Sequence, residues 1–215
     1  MPIHNSEFFD NFGQVLNKFP DTDLRDLFSK GQIESKRWLV NELETLNLSL
    51  GTVFLCAGWY GSLAAFLFES NVKLDKIRSF DIDTSCASIA ETFNRSMTMD
   101  GWQFKASTLD IETMDYPTTH TTFRSDGTSL EITEMPNTII NTSCEHIINF
   151  DKWYNNIPVG TLVILQTNNY FDLPEHVNCC VDLDDFSRMT PMNEVLYQGE
   201  IKLPKYTRYM RIGIK

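Results

Sequence analysis

No apolar run in the 215 residues approaches the roughly 20 that cross a bilayer, so no transmembrane helix and no membrane partner are expected. Positive charge is scarce. Eighteen Lys and Arg stand against 29 Asp and Glu, giving a net charge of −11 and a pI near 4.7. Such a surface repels phosphate backbones, which disfavours DNA and leaves structured RNA as the one nucleic-acid partner still open. Cysteine is sparse and odd in number. Cys56, Cys86, Cys144, Cys179 and Cys180 are scattered through apolar segments and make a poor disulfide framework. Met1 to Ser6 shows neither the cationic stretch nor the apolar run of a secretion signal. A reduced, cytoplasmic protein is the expectation. Repeats and low-complexity tracts are also missing. The hydrophobic share of 42% and charged share of 22% are globular values, and the length suits one domain with a small extension.

The segment from about Glu7 to Leu48 reads as helical. Phe8, Phe9, Phe12, Val15, Leu16 and Phe19 recur at helical spacing, and Pro20 ends that run. A second helix is expected from near Asp23, with Gly31 as a break. From Gly51 the pattern changes. Thr52 to Cys56 is a nearly continuous apolar run, as in a strand buried on both faces of a parallel sheet. Ser62 to Glu69 reads as a helix, Lys76 to Ile82 as a second strand, and Asp83 as the cap of a helix reaching Thr98. Further strands are expected at Phe104 to Leu109, Asn137 to Asn141 and Thr161 to Gln166. This alternation predicts an α/β fold with a mainly parallel, Rossmann-like sheet.

Two segments break the alternation. Asp126-Gly127 between extended residues predicts a hairpin inserted at 118–136. Glu194 to Leu203 and Tyr206 to Ile214 are joined too tightly for a parallel crossover, so they end the sheet as an antiparallel hairpin. The expected division is an N-terminal helical extension, 1–50, and an α/β domain, 51–215.

In an open parallel sheet, ligands bind beyond the carboxyl ends of the strands. Past the first strand lies Cys56-Ala57-Gly58-Trp59-Tyr60-Gly61-Ser62, whose glycines permit a tight turn before a helix N-terminus. Asp81 follows Gly58 by 23 residues, placed to accept ribose hydroxyls, and Asp110 on the next loop is placed to accept from an adenine amine. Together they read as an adenosine site.

This ordered set resembles the class I, Rossmann-like S-adenosylmethionine-dependent methyltransferases over roughly Gly51 to Lys215. The resemblance implies S-adenosylmethionine as cofactor. It places Ala57, Gly58, Trp59, Tyr60 and Gly61 at the methionine part, Asp81 with Ile82 at the ribose, and Asp110 with Ile111 at the adenine. Thr142 and Ser143 complete the expected cofactor contacts. The sequence departs from the family in three places. Cys56 or Ala57 stands where an acid commonly precedes the turn, and Trp59 or Tyr60 occupies a usual glycine position. The loop after the fourth strand, Asn141 to His146, lacks the Asn/Asp-Pro-Pro-aromatic signature of amino-methylating enzymes acting on DNA bases and some proteins.

Methyl transfer from a sulfonium needs alignment and usually removal of one proton. Glu145 and His146 occupy the loop expected beside the methyl and are the candidate catalytic pair; the alternative is a capping Glu145 above a packed His146. Lys36, Asn168 and Tyr170 are candidate acceptor contacts. Lys36 shares one helix face with Gln32, in a polar group with Ser35 and Trp38 that fits a lid or a solvated face. His176, Cys179, Cys180 and Asp182 make a poor metal set, because adjacent cysteines seldom suit tetrahedral coordination, so no metal is expected. Cys144 as a nucleophile is weak as well. The expected function is methyl transfer to a small molecule or protein side chain. Two rivals stand beside it: a catalytically silent cofactor- or partner-binding protein, and a nicotinamide-dependent oxidoreductase, whose Gly-x-Gly-x-x-Gly turn the chain lacks.

Overall fold

The computed structural model describes residues 5–215; residues 1–4, within the stretch read for a secretion signal, lie outside it. In chain order the first helix is α1 (Asn5–Lys18), and a single 3-10 turn (Asp26–Phe28) leads into α2 (Lys30–Leu46). Then follow β1 (Thr52–Cys56), α3 (Ser62–Phe68), β2 (Lys76–Asp81), α4 (Cys86–Phe93), α5 (Arg95–Met99) and β3 (Phe104–Thr108). The hairpin β4 (Thr118–Phe123) and β5 (Ser129–Glu134) comes next. The remainder is β6 (Thr138–Asn141), α6 (Phe150–Asn156), β7 (Leu162–Asn168), α7 (Leu183–Met189), β8 (Glu194–Lys202) and β9 (Thr207–Ile214).

Seven strands form one sheet in the order β3-β2-β1-β6-β7-β9-β8. β1, β2, β3, β6 and β7 run parallel, and β9 pairs antiparallel with both β7 and β8. Strand order reverses between β1 and β6, which places a crevice at their carboxyl ends.

The continuous apolar runs are explained by burial on two faces. Val53, Leu55, Ile140 and Ile164 pack beneath α2, α3 and α4 with Leu39, Leu43, Leu63 and Leu67. Their neighbours Phe54, Ile139, Val163 and Leu165 point the other way, onto Phe150, Trp153, Tyr154 and Phe186. Each fully buried Leu, Ile or Val side chain contributes about 1.5–3 kcal/mol, so these two layers dominate stability.

Several boundaries differ from the sequence reading. Ser29, not a residue near Asp23, caps the second helix: its Oγ accepts from the Gln32 amide at 3.3 Å. Gly31 therefore sits in the first turn of α2 and breaks nothing. The helix after β2 begins at Cys86, and Asp83 holds the preceding turn by accepting from the Ser85 amide at 2.8 Å. It is split at Asn94, whose Nδ2 is drawn to the Gly61 carbonyl at 3.0 Å. β7 runs on to Asn168 because Gln166, Thr167 and Asn168 find partners in Met210, Tyr209 and Arg208 of β9.

The hairpin at 118–134 docks by charge. Glu134 accepts from Lys76 at 2.5 Å and from Arg78 at 2.5 and 3.2 Å, while His120 meets the Ser107 hydroxyl at 2.9 Å. Burial opposes ionisation of Glu134, yet its contacts with His120, Arg78 and Lys76 outweigh it and hold the carboxyl well below its ordinary range. Arg78 in the body of a buried strand is thereby satisfied. No helix among the described residues is long and apolar enough to cross a membrane.

Candidate functional site

The turn after β1 is the tightest part of the crevice. The Gly58 amide donates to the Phe80 carbonyl at 3.0 Å, and a Cβ on Gly58 would overlap the Ser79 hydroxyl, so only glycine lets the turn lie against β2. Gly61 has φ +72. Ala57 and Trp59, at φ +54 and +48, take left-handed backbone without glycine, at a cost of roughly 1–2 kcal/mol each. The bulky pair at the usual glycine position is thus accommodated by backbone strain and by stacking of Trp59 on Tyr60, with centroids 4.6 Å apart.

Asp81 locks this turn. Its Oδ2 accepts from the Trp59 amide at 2.8 Å and its Oδ1 from the Asp83 amide at 3.0 Å. Each carboxylate oxygen keeps a further lone pair for a ligand hydroxyl. Asp110 caps the 3-10 turn Ile111–Thr113 by accepting from the Glu112 amide at 2.9 Å through Oδ1.

A cavity of about 480 Å³ opens over these groups, within the 300–1,000 Å³ usual for ligand pockets. Its wall brings together Ala57, Gly58, Trp59, Asp81, Ile82, Asp110, Ile111, Thr142, Ser143, His146 and Lys36. Tyr60, Gly61, Glu145, Asn168 and Tyr170 do not line it. Tyr60 packs instead with Val15, Leu24 and Ile89 under the N-terminal helices. Glu145 is 2% exposed; its Oε1 accepts from Asn168 Nδ2 at 2.6 Å and pairs with Arg208 Nη2 at 3.3 Å. Asn168 is interior because β7 extends to include it, and Tyr170 stacks on Tyr206.

From the N-terminal segment the cavity receives Asp26, Gln32 and Lys36. Lys36 is 6% exposed, and its Nζ donates to Gln32 Oε1. Burial, and then the Arg208 guanidinium, push this amine down to about 7, with Asp26 opposing. Of the four polar residues noted on this helix, Ser35 is buried with its carbonyl accepting from Gln166, and Trp38 donates to the Tyr197 hydroxyl at 3.1 Å. Sequence reasoning missed Asp26 and Glu112 as lining groups, and Arg208, which donates to the carbonyl of the lining residue Thr142 at 2.7 Å. Charged residues inside the apolar terminal strand, Arg208 and Arg211, were the available signal.

The thiols are protonated. Burial pushes Cys144 well above its ordinary value and Cys179 up to about 11, which leaves no thiolate nucleophile. Cys180 turns to Met189 and Asp182 caps α7, so the set His176, Cys179, Cys180 and Asp182 is not assembled.

No protein-family model and no curated protein matches the sequence. The fold is that of the class I S-adenosylmethionine-dependent methyltransferases. Magnesium protoporphyrin IX methyltransferase of Synechocystis PCC 6803, crystallised with S-adenosylhomocysteine, matches at TM-score 0.59 and 12% identity, over 98% of this chain and 95% of its own. The N-methyltransferase NodS of Bradyrhizobium japonicum WM9, also with S-adenosylhomocysteine, matches at TM-score 0.61 and 8% identity, over 94% and 97%. A small RNA methyltransferase matches at TM-score 0.60 and 15% identity, over 86% of this chain and 25% of its own.

Proposed function

We propose that this chain is an S-adenosylmethionine-dependent methyltransferase whose acceptor is a small molecule or a protein side chain. The observation that carries the reading is Asp81, fixed by the Trp59 amide at the end of β2 and sharing one cavity with Asp110. Two such carboxylates, on adjacent strand ends, suit a ribose and an adenine amine. The solved neighbours crystallised with S-adenosylhomocysteine support the same ligand. S-adenosylmethionine supplies a methyl group on a sulfonium.

The chain's own part is positioning and proton handling. Asp81 with Ile82, and Asp110 with Ile111, hold the adenosine. Ala57, Gly58 and Trp59 bound the methionine end, with Thr142 and Ser143 beside it. Lys36, neutral in part at pH 7, takes the proton that the acceptor releases, and Gln32 aims its amine. Within the 1–50 extension, Asp26, Gln32 and Lys36 close the cavity of the 51–215 domain, and 118–136 is an insertion braced on β2.

The net charge of −11 favours a small molecule or protein over DNA. The neighbours' own substrates, a porphyrin and a small RNA, differ too widely to choose for this chain. The test is incubation with methyl-labelled S-adenosylmethionine and separated small-molecule, protein and RNA fractions. Label in one of the first two supports the reading. Label in none, with S-adenosylhomocysteine still bound, supports a catalytically silent binding protein instead.

A further inference from the structure

Glu145, His146 and His176 each bring one ligand atom to within 4.8 Å of the other two. The first two lie on the 3-10 turn Cys144–His146 after β6, and His176 comes from the loop after β7. The two imidazoles meet edge to face, with centroids 4.7 Å apart.

Three details go beyond proximity. Glu145 Oε2 is buried and has no hydrogen-bond partner among the described residues, although Oε1 is held by Asn168 and Arg208. A buried carboxylate oxygen without a donor is costly, and native structures rarely leave one unexplained. His176 Nδ1 lies 2.7 Å from the Tyr170 carbonyl, which only accepts, so the proton sits on Nδ1 and Nε2 carries the free lone pair. This is how a metal-binding histidine is usually oriented by its second partner. His146 is exposed and lines the cavity, so the cluster borders the proposed methyl-transfer site.

We infer that Glu145, His146 and His176 form a binding site for one divalent transition-metal ion at the acceptor edge of the cavity. Two imidazoles and one carboxylate suit zinc, iron(II), cobalt(II) or manganese(II), and three protein ligands leave positions open for an exogenous oxygen. Magnesium and calcium, which prefer oxygen-only shells, fit poorly. Arg208 occupies Oε1 and so directs Oε2 alone to the ion. That the open positions take an oxygen atom of the acceptor rests on the methyl-transfer reading; the ion site itself does not.

Cobalt(II) is the probe, because nitrogen and oxygen ligation gives it visible absorption bands. The full chain, stripped with a chelator, is titrated with cobalt(II) and then with zinc(II) as competitor. One equivalent of cobalt(II), displaced by one of zinc(II), is expected. Loss of an orienting partner alone costs a metal site about 10–100-fold, so removing a ligand in His146→Ala or His176→Ala should weaken binding at least that much. Glu145→Gln should do the same, but it disturbs a buried ion pair, so the two histidine variants decide. Circular dichroism checks that both retain the fold. Absence of a saturable one-to-one site, or unchanged affinity in both histidine variants, overturns the assignment. Titration of the same samples with S-adenosylhomocysteine reports on the cofactor reading separately: its failure with metal binding intact leaves the ion site standing.

Discussion

The carboxylate of Asp81 accepts a hydrogen bond from the backbone amide of Trp59 at 2.8 Å, tying the end of β2 to the turn after β1. One acid thus sets the shape of the turn and offers its remaining lone pairs to the cavity.

Replacing it separates these two roles. Asp81→Ala should lose about 1–3 kcal/mol of S-adenosylhomocysteine affinity, the scale of a charged hydrogen bond, in calorimetric titration. Asp81→Asn, which keeps an acceptor for the Trp59 amide, should retain the melting temperature better than Asp81→Ala. Asp83→Ala loses only the Ser85 turn contact and should leave affinity unchanged, with about 1 kcal/mol or less lost in stability.

Gly58→Ala forces a methyl group into the Ser79 hydroxyl. The overlap should cost about 1–3 kcal/mol in denaturant unfolding, with ligand affinity falling as the turn is displaced. Ser79→Ala in the same chain makes room and should recover part of both losses.

Lys36 carries a pH signature. Its folded value near 7 lies below the ordinary lysine value of 10.5, so between those limits the unfolded chain holds the extra proton and stability rises with pH. Lys36→Met should therefore stabilise the protein more at pH 6 than at pH 9. Methyl transfer by the natural chain should rise through about pH 7 as the amine loses its proton, and Lys36→Met should abolish that rise.

Glu134 gives a slope of the same sign in the acid range, but here the ionised form is the one the fold stabilises. Its carboxyl is depressed, so the stability it contributes is present at neutral pH and is lost as pH falls below the ordinary carboxylate range. Glu134→Gln leaves Arg78 buried with its countercharge gone and should cost about 3 kcal/mol at pH 7, with little further loss on acidification. Hydrogen exchange at β4 and β5 should increase first.

The sheet was legible because two-sided burial writes itself into Thr52 to Cys56 and Leu162 to Leu165 as nearly continuous apolar runs. The terminal hairpin followed from its short connection. Local choices were less visible. α2 starts after Ser29 rather than near Asp23, because the chain entering it first packs Leu24 and Leu27 with Val15 of α1. Asn168 looked like loop and is strand, since only its pairing with Arg208, 40 residues away, extends β7. That same pairing buries Glu145, which the sequence set beside the reacting methyl. Lys36 looked like part of a solvated helix face, and its burial depends on contacts made across the whole fold.

The most direct measurement is calorimetric titration of the purified chain with S-adenosylmethionine, S-adenosylhomocysteine and NAD. Saturable one-to-one binding of both adenosyl compounds, and none of NAD, is the expected result. Binding of NAD alone, or of none of the three, would contradict it.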